Sequence, residues 1–203
     1  MIPYLSEKIT SSFIRNEIIA DKDYEVYIYS FEILLSTLLN FVAMCVIAIT
    51  TKTVSETLVY LLAFIPLRQL VGGYHARNHI RCFLLLIMSY MGFLLIINFL
   101  SVNYGSYVII VSILISNILV FLLAPIADAN KPLTNEEIKG FKVKSRIAII
   151  IYSISTILIT ILSLISVWGL AFALGILSVS LSLIAGKIKN VMEDRSLLHS
   201  KNL

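Results

Sequence analysis

The chain has 203 residues, of which 59% are hydrophobic and 14% are charged, with a formal net charge of +4. Soluble domains carry roughly 45–50% apolar and about 25% charged residues, so this composition excludes an ordinary soluble domain. The apolar residues also occur in runs near the ~20 residues that span a bilayer. The basic residues flank these runs, where membrane topology explains them. We therefore expect no nucleic-acid partner.

The first 30 residues contain no short apolar core followed by a small-residue cleavage site, so we expect no cleaved signal peptide. Apolar side chains recur there near helical spacing, at Ile2, Leu5, Ile9 and Phe13. This pattern predicts an amphipathic helix on the membrane surface. Three tyrosines follow at positions typical of an aromatic belt at the headgroups: Tyr24, Tyr27 and Tyr29.

Six apolar segments predict six transmembrane helices, at 31–50, 54–67, 83–101, 107–126, 147–166 and 169–186. The second is short and contains Glu56 and Pro66, so it could be tilted or re-entrant. The predicted fold class is all-α: a polytopic membrane protein with six spans and an N-terminal amphipathic interfacial helix. We expect one membrane-embedded domain over 1–203, made of the amphipathic segment 1–30, the spans within 31–186 and a cytoplasmic tail at 187–203.

Lysine and arginine lie almost entirely in alternate connections. Fifteen of the sixteen fall within 1–30, 68–82, 127–146 and 187–203, and Lys52 is the exception. The positive-inside rule places these four segments, and with them both termini, in the cytoplasm. This alternation requires an even number of spans, which supports counting the irregular second segment. The expected location is the cell membrane, with lipid as a partner.

The 127–146 connection begins with residues that disfavour a helix: Asp128, Asn130 and Pro132. Thr134 or Asn135 is expected to cap a short turn that follows. A basic edge comes next, formed by Lys139, Lys142, Lys144 and Arg146. It could hold the connection near anionic lipid, or it could dock an acidic partner.

Most of the side chains capable of nucleophile or base chemistry lie in one polar stretch, 68–82. It holds two of the three histidines, one of the two cysteines, three arginines and a glycine pair. Cationic groups just upstream of Cys82, and the helix N-terminus expected there, favour the thiolate form of that cysteine. Cys82 is therefore the candidate nucleophile, the alternative being a small buried residue at the start of a span.

Two histidines are candidates for the general base. His75 precedes Cys82 by seven residues, about 10 Å of rise on an unbroken helix, whereas proton transfer needs roughly 3 Å or one bridging water. His75 could serve only if the chain bends, and we expect the bend after Gly73. Three residues supply the backbone freedom for it: Gly72, Gly73 and Asn78. His79 could approach Cys82 within one helical turn, so spacing alone leaves the choice open.

The composition of this stretch also permits two other roles. The spacing His75-x3-His79-x2-Cys82 could place three zinc ligands on one helical face. No carboxylate stands beside them and arginines flank them, so we expect no metal and no cofactor. Arg68 could pair with a carboxylate of the protein or of a peptide, or it could serve only to set topology.

Four of these residues, Arg68, Gly73, His75 and Cys82, form the pattern R-x4-G-x-H-x6-C between two spans. The pattern resembles the accessory gene regulator B (AgrB) family, membrane-embedded cysteine endopeptidases of Gram-positive quorum-sensing systems. Chain length, span number and basic loops fit the family as well. So do two proline pairs after the fourth span, Ala124-Pro125 and Lys131-Pro132. The resemblance implies that Cys82 is the nucleophile and His75 the base.

The resemblance also implies a reaction. The family cleaves an autoinducer propeptide near its C-terminal side and holds the product as a thioester on the catalytic cysteine. A thioester conserves the energy of the cleaved amide, so a Cys or Ser of the peptide can capture the acyl group as a thiolactone or lactone ring. Exclusion of water would favour ring closure over hydrolysis. A homodimer is a further implication of the family.

Further residues are assigned weaker roles. The expected supporting residues are Arg68, Gly72, Gly73, Asn78 and His79. Basic loops would meet the acidic tail of the propeptide, with Lys131, Pro132, Lys142 and Lys144 as candidate substrate-binding residues. The residue that orients His75 is left open among Asn78, Ser89 and Glu32.

The alternative function is a peptide exporter or a non-catalytic scaffold. It would need polar residues along a path through the bilayer, whereas here they cluster at the cytoplasmic ends.

Overall fold

The computed structural model describes residues 2–72, 79–126, 134–162 and 166–201, with side chains for all of these except 79–82, 100–103, 166 and 193–201. These ranges form α-helices with one 3-10 turn, Asp21–Asp23, and they contain no β-strand. The helices are α1 (Ile2–Arg15), α2 (Tyr24–Thr50), α3 (Val54–Val71), α4 (His79–Leu123), α5 (Asn135–Leu162) and α6 (Ser166–Lys201). The predicted all-α class is confirmed.

Five helical segments are long and apolar enough to cross a membrane: Asp21–Thr50, Val54–Val71, Tyr104–Leu123, Asn135–Leu162 and Val167–Met192. A shorter apolar stretch, Phe83–Phe99, corresponds to the third predicted span. The protein is therefore a multi-pass membrane protein, and the number six is approximate. The irregular second segment is one continuous helix, α3, with Pro66 inside it.

Several helices extend beyond the predicted spans, because hydropathy marks the lipid-embedded part of a helix and not its ends. The predicted connection 102–106 is helical and lies inside α4, which runs unbroken for 45 residues. This segment contains no proline, and a lone glycine such as Gly105 costs a helix only about 1 kcal/mol. At its other end α4 stops at Leu123, ahead of the predicted breakers, because Pro125 cannot continue it.

The short turn predicted after Thr134 is instead the first turn of the 28-residue helix α5. The backbone N–H and the hydroxyl of Thr134 both donate to the Glu137 carboxylate, at 2.8 and 2.9 Å. In return the Glu137 N–H donates to the Thr134 hydroxyl at 3.3 Å. This reciprocal capping box satisfies N–H groups that a helix start leaves unpaired. The basic residues that follow are thereby fixed on a helix.

The chain divides into two compact units. One comprises Met1–Lys52 with Asn78–Met88, and the other comprises Thr53–Arg77 with Ser89–Leu203. In the first unit α1 packs against α2, and the ring of Phe13 stacks on that of Phe31 with 5.4 Å between centroids. The predicted N-terminal amphipathic helix is thus present as α1.

The second unit is built around α6, which packs against both α3 and α5. Gly175 lets α6 approach α3 closely, since a Cβ there would lie 2.7 Å from the Tyr60 carbonyl oxygen. The buried cluster also includes the last residues of α4 and the segment that follows. Its members are Ala63, Leu67, Val71, Val120, Ala124, Ile126, Ala148, Ile149, Phe172, Ile176, Val179 and Leu183. The core therefore fixes the end of α3 beside the end of α4.

Candidate active site

Along the chain, the polar stretch 68–82 begins in the last turn of α3 and ends in the first turn of α4. Arg68 is in the last turn of α3, and Gly72 is the residue that ends this helix. The predicted roles of Gly73, His75 and Asn78, and of Lys131 and Pro132, fall on residues outside the described ranges. His79 and Cys82 lie in the first turn of α4, where the backbone alone is described.

Gly72 ends α3 with a backbone conformation that suits glycine. Its φ is +73° and its ψ is −147°, a region that side-chain-bearing residues rarely adopt. The Gly72 N–H donates to the Arg68 carbonyl at 3.1 Å, which closes the last turn of the helix. Helix α3 therefore ends before Gly73. The bend predicted after Gly73 lies outside the described residues and stays a prediction.

The end of α3 is joined to the segment that follows α4. The N–H of Ile126 donates to the carbonyl of Val71 at 3.1 Å, and Gly72 and Ile126 form an isolated parallel bridge. A Cβ at Gly72 would lie 2.2 Å from the Ile126 carbonyl oxygen, so only glycine allows this approach. The segments leading to His75 and to Lys131 thus leave from one backbone pairing. Sequence pattern alone did not predict this contact.

Arg68 is half-buried and reaches α6. Its guanidinium Nη1 donates to the Ser182 hydroxyl, which in turn donates to the Val179 carbonyl at 2.6 Å. Ser182 lies 114 residues further along the chain, so no local pattern indicated it. In the sequence, Ser182 is distinguished only as a polar residue within an apolar span. Arg68 therefore has a structural contact beside its predicted role toward a carboxylate.

Cys82 is the fourth residue of α4, which begins at His79. The first four N–H groups of a helix have no partner within it, and the helix dipole is positive at this end. The helix N-terminus expected at Cys82 is therefore present, and the nucleophilic role of Cys82 stays a prediction. His79 lies in the same turn, and His75 lies before the helix. The choice between the two histidines stays open on geometry.

A group of hydroxyl side chains, missed in the sequence, joins α3, α4 and α6 within the second unit. Tyr60 is almost completely buried, and its hydroxyl has side-chain hydrogen bonds with Ser89 and Ser178. One turn away, the hydroxyls of Thr57 and Tyr90 lie 2.7 Å apart. Ser89, one candidate to orient His75, is thus engaged by α3. It stands about 10 Å beyond Cys82 along α4.

Lys142 and Lys144, two candidate substrate-binding residues, are exposed in the first turns of α5. The Lys144 amine lies 5.8 Å from the centre of the Phe141 ring on the same helix. Both amines are therefore available to an anionic ligand. Among the described residues no group of three His, Cys, Asp or Glu could hold a metal ion.

The comparisons with known proteins agree on one family. The family model described as "Accessory gene regulator B" matches residues 6–183. An AgrB-like protein of Clostridium perfringens strain SM101 is 30% identical over 193 residues, 92% of this chain and 87% of the relative. Protein FsrB of Enterococcus faecalis is 28% identical over 179 residues, 82% of this chain and 74% of the relative.

No solved structure matches the chain. The family match covers most of the sequence and includes the whole 68–82 stretch. The resemblance first seen in four residues is thereby confirmed. The chain belongs to the accessory gene regulator B family of quorum-sensing membrane proteins.

Proposed function

We propose that this protein is a membrane cysteine endopeptidase that cleaves an autoinducer propeptide and promotes its cyclisation. The observation that carries the proposal is the pattern Arg68, Gly73, His75 and Cys82 within a chain that belongs to this family. The position of Cys82 in the first turn of α4 supports it, because a helix N-terminus favours a thiolate.

The reaction uses the two candidate residues in sequence. The Cys82 thiolate attacks the carbonyl carbon of the scissile peptide bond, and the C–N bond breaks as the leaving amine takes a proton from His75. The N-terminal part of the peptide stays on Cys82 as a thioester. A Cys or Ser of that peptide then gives its proton to the now neutral His75 and attacks the thioester carbonyl. Cys82 leaves as a thiolate, and a thiolactone or lactone ring closes. Unpaired N–H groups at the start of α4 are suited to stabilise the oxyanion in both steps.

The substrate approaches from the cytoplasmic side in this proposal. The positive-inside rule predicts that both termini and the basic connections are cytoplasmic. Lys142 and Lys144 are exposed on α5, and their charges suit the acidic tail expected of a family propeptide. Lys131 and Pro132 stay candidate substrate-binding residues in this proposal, and a homodimer is part of it.

The test compares the two cysteines of the chain, using full-length protein co-expressed with its propeptide, to be sought as a short amphipathic reading frame beside the gene. Cys82→Ala is expected to abolish processing, and His75→Ala to lower it by at least about 100-fold, the usual contribution of a general base. Cys45→Ala is the matched control, because Cys45 is a free, half-buried thiol on α2, far along the chain from the 68–82 stretch. Membrane levels of all variants are measured alongside.

Two further results would decide against the proposal. Processing that survives in Cys82→Ala rules out the thioester. Export of uncleaved peptide by both wild type and Cys82→Ala would support the exporter instead. Trapping the peptide on wild-type protein as a hydroxylamine-sensitive adduct, absent from Cys82→Ala, is the positive result expected for a peptidase.

A further inference from the structure

Helix α4 ends with a carbonyl group that lacks its usual partner. In an α-helix the carbonyl of residue i accepts the N–H of residue i+4. The Ala124 N–H donates to the Val120 carbonyl at 3.1 Å, and this bond is the last of the regular series. The carbonyl of Phe121 would need the N–H of residue 125, which is proline and has none.

Arg146 of α5 supplies the missing donor. Its Nη2 donates to the Phe121 carbonyl oxygen at 3.1 Å. The guanidinium also lies over the Phe121 ring, with 5.2 Å from its carbon to the ring centre. Its Nε is buried without a hydrogen-bond partner in the described part of the chain. The guanidinium is therefore held there by the Nη2 bond to the Phe121 carbonyl and by the contact with the Phe121 ring. A cation at the C-terminal end of a helix also opposes the negative end of the helix dipole.

The segment capped in this way is the one that holds the end of α3. Three residues after Phe121 the chain reaches Ala124, which is buried in the core, and two residues later Ile126 donates to the Val71 carbonyl. Gly72 then bridges to Ile126. A continuous series of contacts therefore runs from Arg146 through the end of α4 to Gly72, three residues before His75.

We propose that Arg146 is a positioning residue, which caps α4 at Phe121 and so holds the 124–126 segment against which Gly72 is fixed. Its effect on processing rests on the proposed function, since it acts through the segment that carries His75. It does not touch the substrate in this account. The role differs from that of a topological charge, which any basic residue near the interface could supply.

The chain contains a matched control for charge. Lys139 lies on the same helix, is exposed, and has no hydrogen bond or ring contact with α4 in the described structure. Lys139→Met removes one positive charge from the same end of α5 as Arg146→Met does. A difference in Ile126 amide exchange between the two variants therefore reports the contact of Arg146 with Phe121 and not the loss of a surface charge.

Hydrogen–deuterium exchange of the full chain in lipid nanodiscs measures the cap directly. Arg146→Met is expected to speed exchange of the Ile126 amide by about tenfold or more, because hydrogen bonds to charged groups are among the stronger ones. Arg146→Lys keeps a charge and a donor but loses the planar stack, and it should lie between Met and wild type. Lys139→Met should exchange as wild type does.

Processing kinetics with a synthetic copy of the propeptide form the second readout. Arg146→Met should lower kcat by a factor similar to that seen for exchange and leave KM within about twofold, because ground-state peptide contacts are intact. Wild-type exchange at Ile126 in Arg146→Met, or equally fast Ile126 exchange in Lys139→Met, would overturn the proposal. Faster exchange of the core amide of Ile149 in Arg146→Met would mean that this variant unfolds more widely, and Arg146→Lys is then the deciding variant. In Arg146→Lys, faster exchange at Ile126 with Ile149 still protected supports the cap. Wild-type exchange at Ile126 in Arg146→Lys refutes it.

The two proposals fail separately. If wild-type protein does not process the peptide, the peptidase proposal is wrong, and Ile126 exchange still decides whether Arg146 caps α4. If processing depends on Cys82 but Ile126 exchange is unaffected by Arg146→Met, the peptidase proposal stands and the positioning role is refuted.

Discussion

Gly72 is the residue whose replacement should damage the site most directly through the backbone. Any side chain would have to adopt φ near +73° and would place Cβ 2.2 Å from the Ile126 carbonyl oxygen. Such a backbone conformation costs about 1–3 kcal/mol for a residue other than glycine, before the clash is counted. We expect Gly72→Ala to separate Val71 from Ile126 and to lower processing by at least about tenfold.

Gly140→Ala is the control for this prediction, because nothing lies within 4 Å of a Cβ at Gly140. Processing per molecule of protein in isolated membranes is the activity measure, and exchange of the Ile126 amide is the structural one. Wild-type values of both in Gly72→Ala would mean that the bridge to Ile126 does not fix the end of α3.

At the scale of single residues, the sequence indicated the family but not the contacts. The concentration of Arg68, His75 and Cys82 in one stretch is visible in the sequence, and these residues belong to the pattern that resembles the family. Ser182, which accepts from Arg68, could not be found because the two are 114 residues apart. Likewise, a glycine pair predicts freedom of the backbone but does not say which glycine has positive φ or what it approaches.

Among the helices, the packing of α6 on α3 depends on one small residue. A Cβ on Gly175 would lie 2.7 Å from the Tyr60 carbonyl oxygen and 2.9 Å from the Ala63 Cβ, and backbone atoms cannot easily yield. We expect Gly175→Ala to reduce the free energy of unfolding by about 1–3 kcal/mol, the usual cost of overpacking. The midpoint of an SDS titration of the purified protein in mixed micelles measures this change.

Gly92→Ala provides the comparison for Gly175→Ala. Both glycines are inside helices, but no atom lies within 4 Å of a Cβ at Gly92. Its replacement should leave the midpoint unchanged or raise it, since alanine favours a helix over glycine by about 1 kcal/mol. Equal midpoints for the two variants would contradict the close approach of α6 to α3.

Helix type and approximate position could be predicted from hydropathy, but helix ends could not. The capping box of Thr134 and Glu137 was recognisable as a helix start, yet the basic residues after it made the segment look like a loop. Pro125 lies inside the predicted fourth span, 107–126, although α4 ends two residues before it, at Leu123. Both errors have one cause: polarity reports contact with water, whereas helices end where capping groups or prolines stop them.

For the molecule as a whole, the open question is how α4 crosses the bilayer. A 45-residue helix rises about 68 Å, more than twice the ~30 Å of a hydrocarbon core. A single crossing would leave some 25 residues in water, yet α4 has no charged side chain after Arg81. The apolar stretches Phe83–Phe99 and Tyr104–Leu123 each fit one crossing better. We therefore expect that α4, unbroken in this structure, opens near 101–107 in a bilayer and crosses twice, with the turn at the outer surface.

Single cysteines placed in a Cys45→Ala, Cys82→Ala background test this topology with a membrane-impermeant maleimide. With two crossings, Ser106→Cys and Thr51→Cys face the outside and are labelled in intact cells, whereas Lys142→Cys is labelled only after permeabilisation. With one crossing the number of spans becomes odd, so Lys142→Cys and Thr51→Cys lie on the same side of the membrane. Labelling of both Lys142→Cys and Thr51→Cys in intact cells would therefore refute the two crossings of α4 and the cytoplasmic position of the basic turns of α5. Their accessibility to a cytoplasmic propeptide depends on that position.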